Sequence, residues 1–296
     1  MAENITPSKS KKVSTPLPFI ILRAVFPLLE IATPKLAKFI LVRLFFTPFH
    51  FKPRAEELEM KATGKRFQFD VNGNQVVAYS WGKGKLALLS HGWSGRGMQL
   101  RKFIEPLVKN GYEVVTFDAP GHGESEGKKS SLIEFKDTAV ELAKLKGKIT
   151  LGIGHSLGGA ALIYAAKEGL EFEKIITIST PTIPEDIIDA FLARVNASSK
   201  SSSAIDEYVL KRTGEHFDYY SVSMNAPFIK HIPILAFHDN NDSEAGIMHA
   251  HRLKVVHGNT DFIETSGLGH NRILKDEGVA EKIAEYTSEA IPLQTH

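Results

Sequence analysis

No cysteine occurs in the 296 residues, which removes disulfides, thiolate metal sites and a cysteine nucleophile at once. An excess of one charge is also missing. With 36 Lys and Arg against 34 Asp and Glu, the formal net charge is +2, whereas a dedicated nucleic-acid binder would carry a basic excess or stripe. Long uncharged apolar runs are absent too. The most apolar stretch, residues 16–51, is interrupted by Arg23, Glu30, Lys35, Lys38 and Arg43, so nothing approaches the roughly 18 to 20 uncharged residues of a membrane-spanning helix. The remainder, 43% hydrophobic and 24% charged, suits one large α/β domain with an additional piece.

Charge is unevenly distributed. Residues 1–54 hold nine Lys or Arg against Glu3 and Glu30, a net of +7; the 27 basic and 32 acidic residues beyond leave −5. Residues 1–15 are polar and lysine-bearing, a composition expected to be disordered. Pro27, Pro34 and Pro48 divide residues 16–51 into pieces of two or three helical turns. One reading packs these as amphipathic helices on the body of the protein. The other makes them an interfacial element, with Phe19, Ile20, Phe26, Phe39, Leu44, Phe45 and Phe46 entering lipid while the cations meet anionic headgroups. Lys9, Lys11 and Lys12 ahead of Leu17 to Leu29 also suit a secretory signal, but Arg23 breaks its apolar region and no A-x-A site follows. The expected location is cytoplasmic, with peripheral membrane contact through residues 16–51 as the sharper alternative.

Beyond residue 60 the pattern is regular. Arg66 to Val71 and Gln75 to Trp81 alternate apolar and polar residues around Asn72-Gly73-Asn74, which predicts a β-hairpin. Leu86 to Ser90, Glu113 to Phe117, Lys148 to Ile153, Ile175 to Ser179 and Ile234 to Phe237 are short apolar runs suited to strands buried on both faces. Helical candidates lie between them at Gln99 to Lys109, Leu132 to Leu145 and Ala160 to Gly169. Such alternation implies a doubly wound, mostly parallel sheet with ligands at the carboxyl ends of its strands.

The most informative motif is Gly154-His155-Ser156-Leu157-Gly158, at a predicted strand-to-helix turn. Glycines two before and two after the serine permit a turn tight enough to expose its hydroxyl at a helix N-terminus. Four further loops fall at strand ends: His91-Gly92-Trp93, Asp118 to Ser125, His238-Asp239-Asn240-Asn241-Asp242, and Gly267-Leu268-Gly269-His270. Together the five ordered motifs, over about residues 65–290, resemble the α/β-hydrolase fold superfamily.

The resemblance implies an α/β-hydrolase domain over residues 61–296 with a small helical lid inserted at about 181–232, after a tail and helical extension at 1–60. It also implies a triad in the chain order Ser156, Asp242, His270. His270 would be the base that activates a serine hydroxyl too weak alone. The family's His-Gly-x-x-Asp pattern falls on residues 238–242 and favours Asp242 as the acid; Asp239, where glycine is usual, stays open as the alternative. Backbone N–H groups of Trp93 and Leu157 would form the oxyanion hole. His91, Gly92, Gly154, His155 and Gly158 would support the elbow and loops, His155 pointing away from the serine, and Asp118 to Ser125 would be scaffold. In the lid region, Ile187, Phe191, Leu192, Val195, Tyr208, Val209, Phe217, Tyr219 and Tyr220 are candidates for pocket walls or for the lid's own core, and the serine run 198–203 for a hinge.

The expected activity is a serine hydrolase that cleaves a small-molecule carboxylic ester through an acyl-enzyme, without cofactor or metal. Thioesterase, lactonase, amidase or carbon–carbon hydrolase chemistry would use the same groups, and a binding or receptor role on this scaffold is the alternative of another class. Two weaker signals point elsewhere. Gly152-Ile153-Gly154 begins a dinucleotide fingerprint whose sixth position is Leu157 and which lacks the acidic residue after the next strand. His249-Ala250-His251 with His257 reads as solvated surface histidines, because residues two apart on a helix face different ways.

Overall fold

A computed structural model describes residues 17–288; the tail expected at 1–15 lies outside them. β1 (Lys65–Val71) and β2 (Asn74–Trp81) form the predicted hairpin. Its turn places Asn72 at φ 52° and Gly73 at φ 81°, the left-handed pair that a two-residue turn needs to match strand twist. β3 (Lys85–Ser90), β4 (Tyr112–Phe117), β5 (Ile149–His155), β6 (Lys174–Ile178), β7 (Ile234–Asp239) and β8 (Thr260–Thr265) complete one sheet in the order β1-β2-β4-β3-β5-β6-β7-β8. The β1–β2 and β2–β4 pairings are antiparallel and the rest parallel. The doubly wound, mostly parallel α/β sheet expected from the sequence is therefore present.

The helices are α1 (Leu17–Ala32), α2 (Pro34–Phe45), α3 (Ala55–Thr63), α4 (Ile104–Lys109), α5 (Leu132–Lys146), α6 (Leu157–Lys167), α7 (Pro184–Val195), α8 (Ser202–Thr213), the short α9 (Val222–Asn225), α10 (Met248–His257), the short α11 (Gly269–Arg272) and α12 (Glu277–Ser288). Strand alternation feeds two cores. Leu86 and Leu88 join Phe135 of α5, Ala161 of α6 and Leu253 of α10 on one face of the sheet. Ala87 and Leu89 join Phe103, Leu107 of α4 and Ile283 of α12 on the other. Burial of both faces explains why the strands read as continuous apolar runs.

A third core lies outside the sheet. Phe26 of α1, Ala37 and Leu41 of α2, and Phe46 pack with Ile188, Leu192 and Val195 of α7 and Ile205 and Val209 of α8. The N-terminal helices thus meet the segment between β6 and β7 rather than the sheet. Of the residues expected to enter lipid, Phe26 and Phe46 are buried here, Leu44 and Phe45 turn toward the interior, and Phe39 alone is a largely exposed member of the set with a described side chain. Burial among aromatic neighbours satisfies them without lipid; Phe45 meets Phe191 edge to face at 4.9 Å.

Three further expectations change. Pro27 remains inside α1, while Pro34 opens α2 at its first turn, where a missing N–H costs nothing. α3 was not anticipated. The serine run, expected as a hinge, hydrogen-bonds to α1: Ser198 N–H and Oγ, and Ser201 Oγ, donate to the Glu30 carboxylate.

Candidate active site

The elbow follows from close approach of backbones. Ser156 sits between β5 and α6 at φ 51°, ψ −120°, a strained conformation for a non-glycine residue. A Cβ at Gly154 would lie 2.4 Å from Gly159 Cα, and one at Gly158 would lie 2.3 Å from the Ser90 carbonyl oxygen. The glycine at 158 is therefore demanded by the end of β3 as well as by the turn itself. Gly159, which the motif reading passed over, is equally constrained, because a Cβ there would lie 2.0 Å from Thr180 Oγ1. α6 begins directly at Leu157, three residues before the expected start.

Of the two candidate acids, Asp242 meets His270. Its Oδ2 accepts from His270 Nδ1 at 2.8 Å, while Oδ1 accepts the N–H groups of Glu244 and Ala245 at 2.9 Å each. Burial alone would raise this carboxyl. The hydrogen bond and charge of His270 and the two backbone donors more than offset that, and bring it down to about 2. Asp239 is occupied otherwise: Thr265 Oγ1 and Leu268 N–H donate to its Oδ2, and Asn241 N–H to its Oδ1. It organises the loop that carries His270. Ser156 and His270 line one cavity, and among the described residues no side-chain hydrogen bond engages the serine hydroxyl.

Three other histidines brace the loops around this pair as neutral rings. His155 Nε2 donates to the His270 carbonyl at 2.9 Å, with ring centroids 4.8 Å apart. The sequence reading turned its ring away from the serine; it turns toward His270. Its Nδ1 is buried without a partner, and burial, then the nearby His270, push the imidazole down to about 3. His91 accepts the Ala119 N–H on Nε2 and donates through Nδ1 to the Gly92 carbonyl; burial pushes it well below its ordinary range. His122 accepts the Ser94 N–H on Nε2 and donates to the Pro120 carbonyl, and burial lowers it to about 4. Both rings clamp the 91–95 loop to the 118–125 loop. The second loop is itself tied by Asp118, which accepts from Gly97 N–H at 2.8 Å and Glu124 N–H at 2.9 Å.

Gly92 lets the 91–95 loop cross above the elbow: a Cβ would lie 2.8 Å from His155 Nδ1 and 3.1 Å from Ser156 Cβ. Among the described residues, neither the Trp93 N–H nor the Leu157 N–H donates to a protein acceptor. The histidines assigned to the surface are mostly inside. His249 is buried, accepts Thr182 N–H on Nδ1, and lies 3.7 Å from Asp186. His257 is buried between Thr260 Oγ1 and the Ile229 carbonyl; of the three only His251 is exposed.

The cavity holds about 520 Å³ and is walled mainly by apolar groups, within the ~300–1,000 Å³ range of small-ligand sites. Ile187, Phe191, Tyr208, Val209, Phe217 and Tyr220 from the β6–β7 segment face it, whereas Leu192 and Val195 fill the third core and Tyr219 hydrogen-bonds Lys167. Leu44, Phe45, Phe46 and Phe49 supply another wall. The sequence reading had not placed them at the site. The Phe45-Phe46 pair just before Pro48 was the available signal, but its partners lie about 150 residues away.

Residues 72–281 match the alpha/beta hydrolase family. A curated relative, an uncharacterised hydrolase named YugF from Bacillus subtilis (strain 168), is 28% identical over 126 residues. That stretch is 40% of this chain and 46% of the relative, so the chain spans less than half the length of the curated protein it matches. The Pyrococcus furiosus esterase Pf2001 shares the fold with a TM-score of 0.61 at 19% identity, over 81% of this chain and 95% of that one. A structure described as a membrane phospholipase A shares it with a TM-score of 0.61 at 16% identity, over 91% and 97%.

Proposed function

We propose that this chain, which belongs to the alpha/beta hydrolase family, is a serine hydrolase that cleaves carboxylic esters with an apolar acyl group. The observation that carries this reading is the 2.8 Å Asp242–His270 hydrogen bond beside a serine held in a strained elbow, over an apolar cavity. His270 Nδ1–H is fixed by Asp242, which leaves Nε2 as the basic nitrogen. The serine–imidazole hydrogen bond would form as substrate enters, since such bonds are commonly long or misaligned without it.

His270 Nε2 then takes the Ser156 proton while Oγ bonds to the ester carbonyl carbon. The carbonyl π electrons move to oxygen, and the oxyanion lies against the unspent N–H groups of Trp93 and Leu157. Each such donor is worth about 3 kcal/mol in known cases. His270 passes the proton to the departing alkoxide, which leaves an acyl-Ser156. Water, deprotonated by the same nitrogen, attacks the acyl carbon; carboxylic acid departs and Ser156 regains its proton. Asp242 stays ionised throughout and balances the transient imidazolium. Thioesters would react by the same steps, with a thiolate leaving.

A fluorophosphonate should label Ser156, and p-nitrophenyl acyl esters should release p-nitrophenol. Correctly folded protein that does neither, or full activity in Ser156→Ala, would refute the assignment.

A further inference from the structure

The two N-terminal helices bury one face and leave the opposite face apolar. At 100° per residue, Ile21, Val25, Leu28 and Ile31 of α1 fall within an arc of about 120°. All four are exposed, Leu28 by 65% and Ile31 by 81%. The inward side of α1 carries Leu22, Phe26 and Leu29, which join the third core. On α2 the outward arc holds Lys35, Leu36, Phe39 and Arg43, all exposed, with Phe39 at 62%. Ala37 and Leu41 point inward to the same core.

Lys38 of α2 pairs with exposed Glu207 of α8 at 3.5 Å, but the charges that the two helices themselves turn outward are cations. Glu30 is the sole carboxylate of residues 17–54, and it is turned toward the β6–β7 segment, where it accepts from Ser198 and Ser201. Arg23, Lys35 and Arg43 are exposed and make no ion pair among the described residues. A large apolar face rimmed by unpaired cations is the complement of an anionic lipid surface. A second copy of this face would bring cation against cation.

We propose that the outward faces of α1 and α2 dock this protein on anionic lipid, lying in the plane of the interface. The docked element is also a wall of the cavity. Phe39 faces out and Phe45 faces the cavity, six residues or about 9 Å apart along one helix. Lipid contact therefore seats the cavity over Ser156 beside the bilayer and favours acyl esters that partition there. This last step rests on Ser156 being the nucleophile; the docking surface does not.

The test is co-sedimentation of the full chain with vesicles of phosphatidylcholine, with or without phosphatidylglycerol. The wild-type protein should pellet with the anionic vesicles, less with neutral ones, and less as salt is raised. A Leu28→Asp, Ile31→Asp, Phe39→Asp variant changes exposed side chains only. It should keep the wild-type thermal transition and lose vesicle binding by roughly ten-fold or more. Ser156→Ala should pellet like wild type, so failure of ester hydrolysis would leave this result standing. No pelleting with anionic vesicles, or equal pelleting of the triple variant, would overturn the proposal. So would a lipid-free wild-type dimer that the triple variant converts to monomer, because the face would then belong to a second copy.

Discussion

Lowering the pH from 7 to 5 should strip a large part of this protein's stability through two histidines beside the site. His155 is held at about 3 and His122 at about 4, against about 6.5 in an unfolded chain. Both are depressed, so below 6.5 the unfolded state binds protons that the folded state refuses, and stability falls with acidification. Between 6.5 and 5 each group contributes about 1.5 units, or about 2 kcal/mol, for about 4 kcal/mol together. His91 acts in the same direction. Buried Asp118, whose carboxyl is raised by burial, acts in the opposite one and offsets part of this loss. A loss of this size is a substantial share of a typical ~5–15 kcal/mol stability. Urea unfolding at pH 7 and pH 5 measures it directly. His155→Gln, which can still donate to the His270 carbonyl, should recover about 2 kcal/mol of the pH-dependent difference. Equal stability at the two pH values, or an unchanged difference in His155→Gln, would refute the assignment of these rings as buried and neutral.

Asp242→Asn should lower kcat roughly ten-thousand-fold by releasing the imidazole tautomer. Asp239→Asn should instead cost about 2 kcal/mol in denaturant unfolding, from weakened charge-assisted bonds, with a far smaller effect on turnover. Gly92→Ala places a methyl against His155 and Ser156, and stopped-assay kinetics should show a drop in kcat of roughly a hundred-fold as the Trp93 amide is displaced. Chain-length profiling with p-nitrophenyl esters should show kcat/KM rising by up to about four-fold per methylene; Ile187→Trp, which narrows the cavity, should end that rise several carbons earlier.

Most of the sheet was legible because β3 to β7 are buried on both faces, so each reads as an apolar run bounded by turns, and the Asn72-Gly73 turn has one common solution. The elbow was legible because glycines flank its serine in sequence, although only Gly154 answers local sterics and Gly158 answers the Ser90 carbonyl at the end of β3. Asp242 and Asp239 were harder to separate, since both follow β7 and only the fold of the 267–270 loop decides which carboxylate meets His270 and which accepts Leu268 N–H. His249 and His257 were misassigned because helical spacing reports direction, not burial; their partners, Thr182 and Ile229, come from other parts of the chain. The N-terminal helices were read as amphipathic, with Phe39 facing outward as expected but Phe26, Leu44, Phe45 and Phe46 facing inward. Aromatic residues such as Phe26 and Phe46 look lipophilic in a sequence, and nothing local reveals that α7 and α8 are waiting to cover them.

The same extension reaches the proposed reaction centre by hydrogen bonds as well as by packing. Phe49 N–H donates to Ser94 Oγ at 2.9 Å, and Ser94 holds φ 54° in the loop that presents the Trp93 amide. The Phe46 carbonyl accepts from Ser130 N–H, just beyond the 118–125 loop. A buried Glu57–Arg96 pair, 3.5 Å apart, joins α3 to the end of the 91–95 loop. A strained backbone such as that of Ser94 persists only where its surroundings over-determine it, and here the Phe49 amide holds its hydroxyl and the His122 ring its N–H. Residues 17–57 are accordingly part of the framework of the proposed site: they wall the cavity, brace the loop expected to hold the oxyanion, and bear the surface proposed to meet lipid. Deleting residues 1–54 would remove all three contributions at once, exposing Ile188, Ile205 and Val209 to water and freeing Ser94 to relax. Lost activity in such a truncation would follow even if lipid contact contributed nothing, which is why substitutions confined to Leu28, Ile31 and Phe39 separate docking from catalysis and the deletion does not.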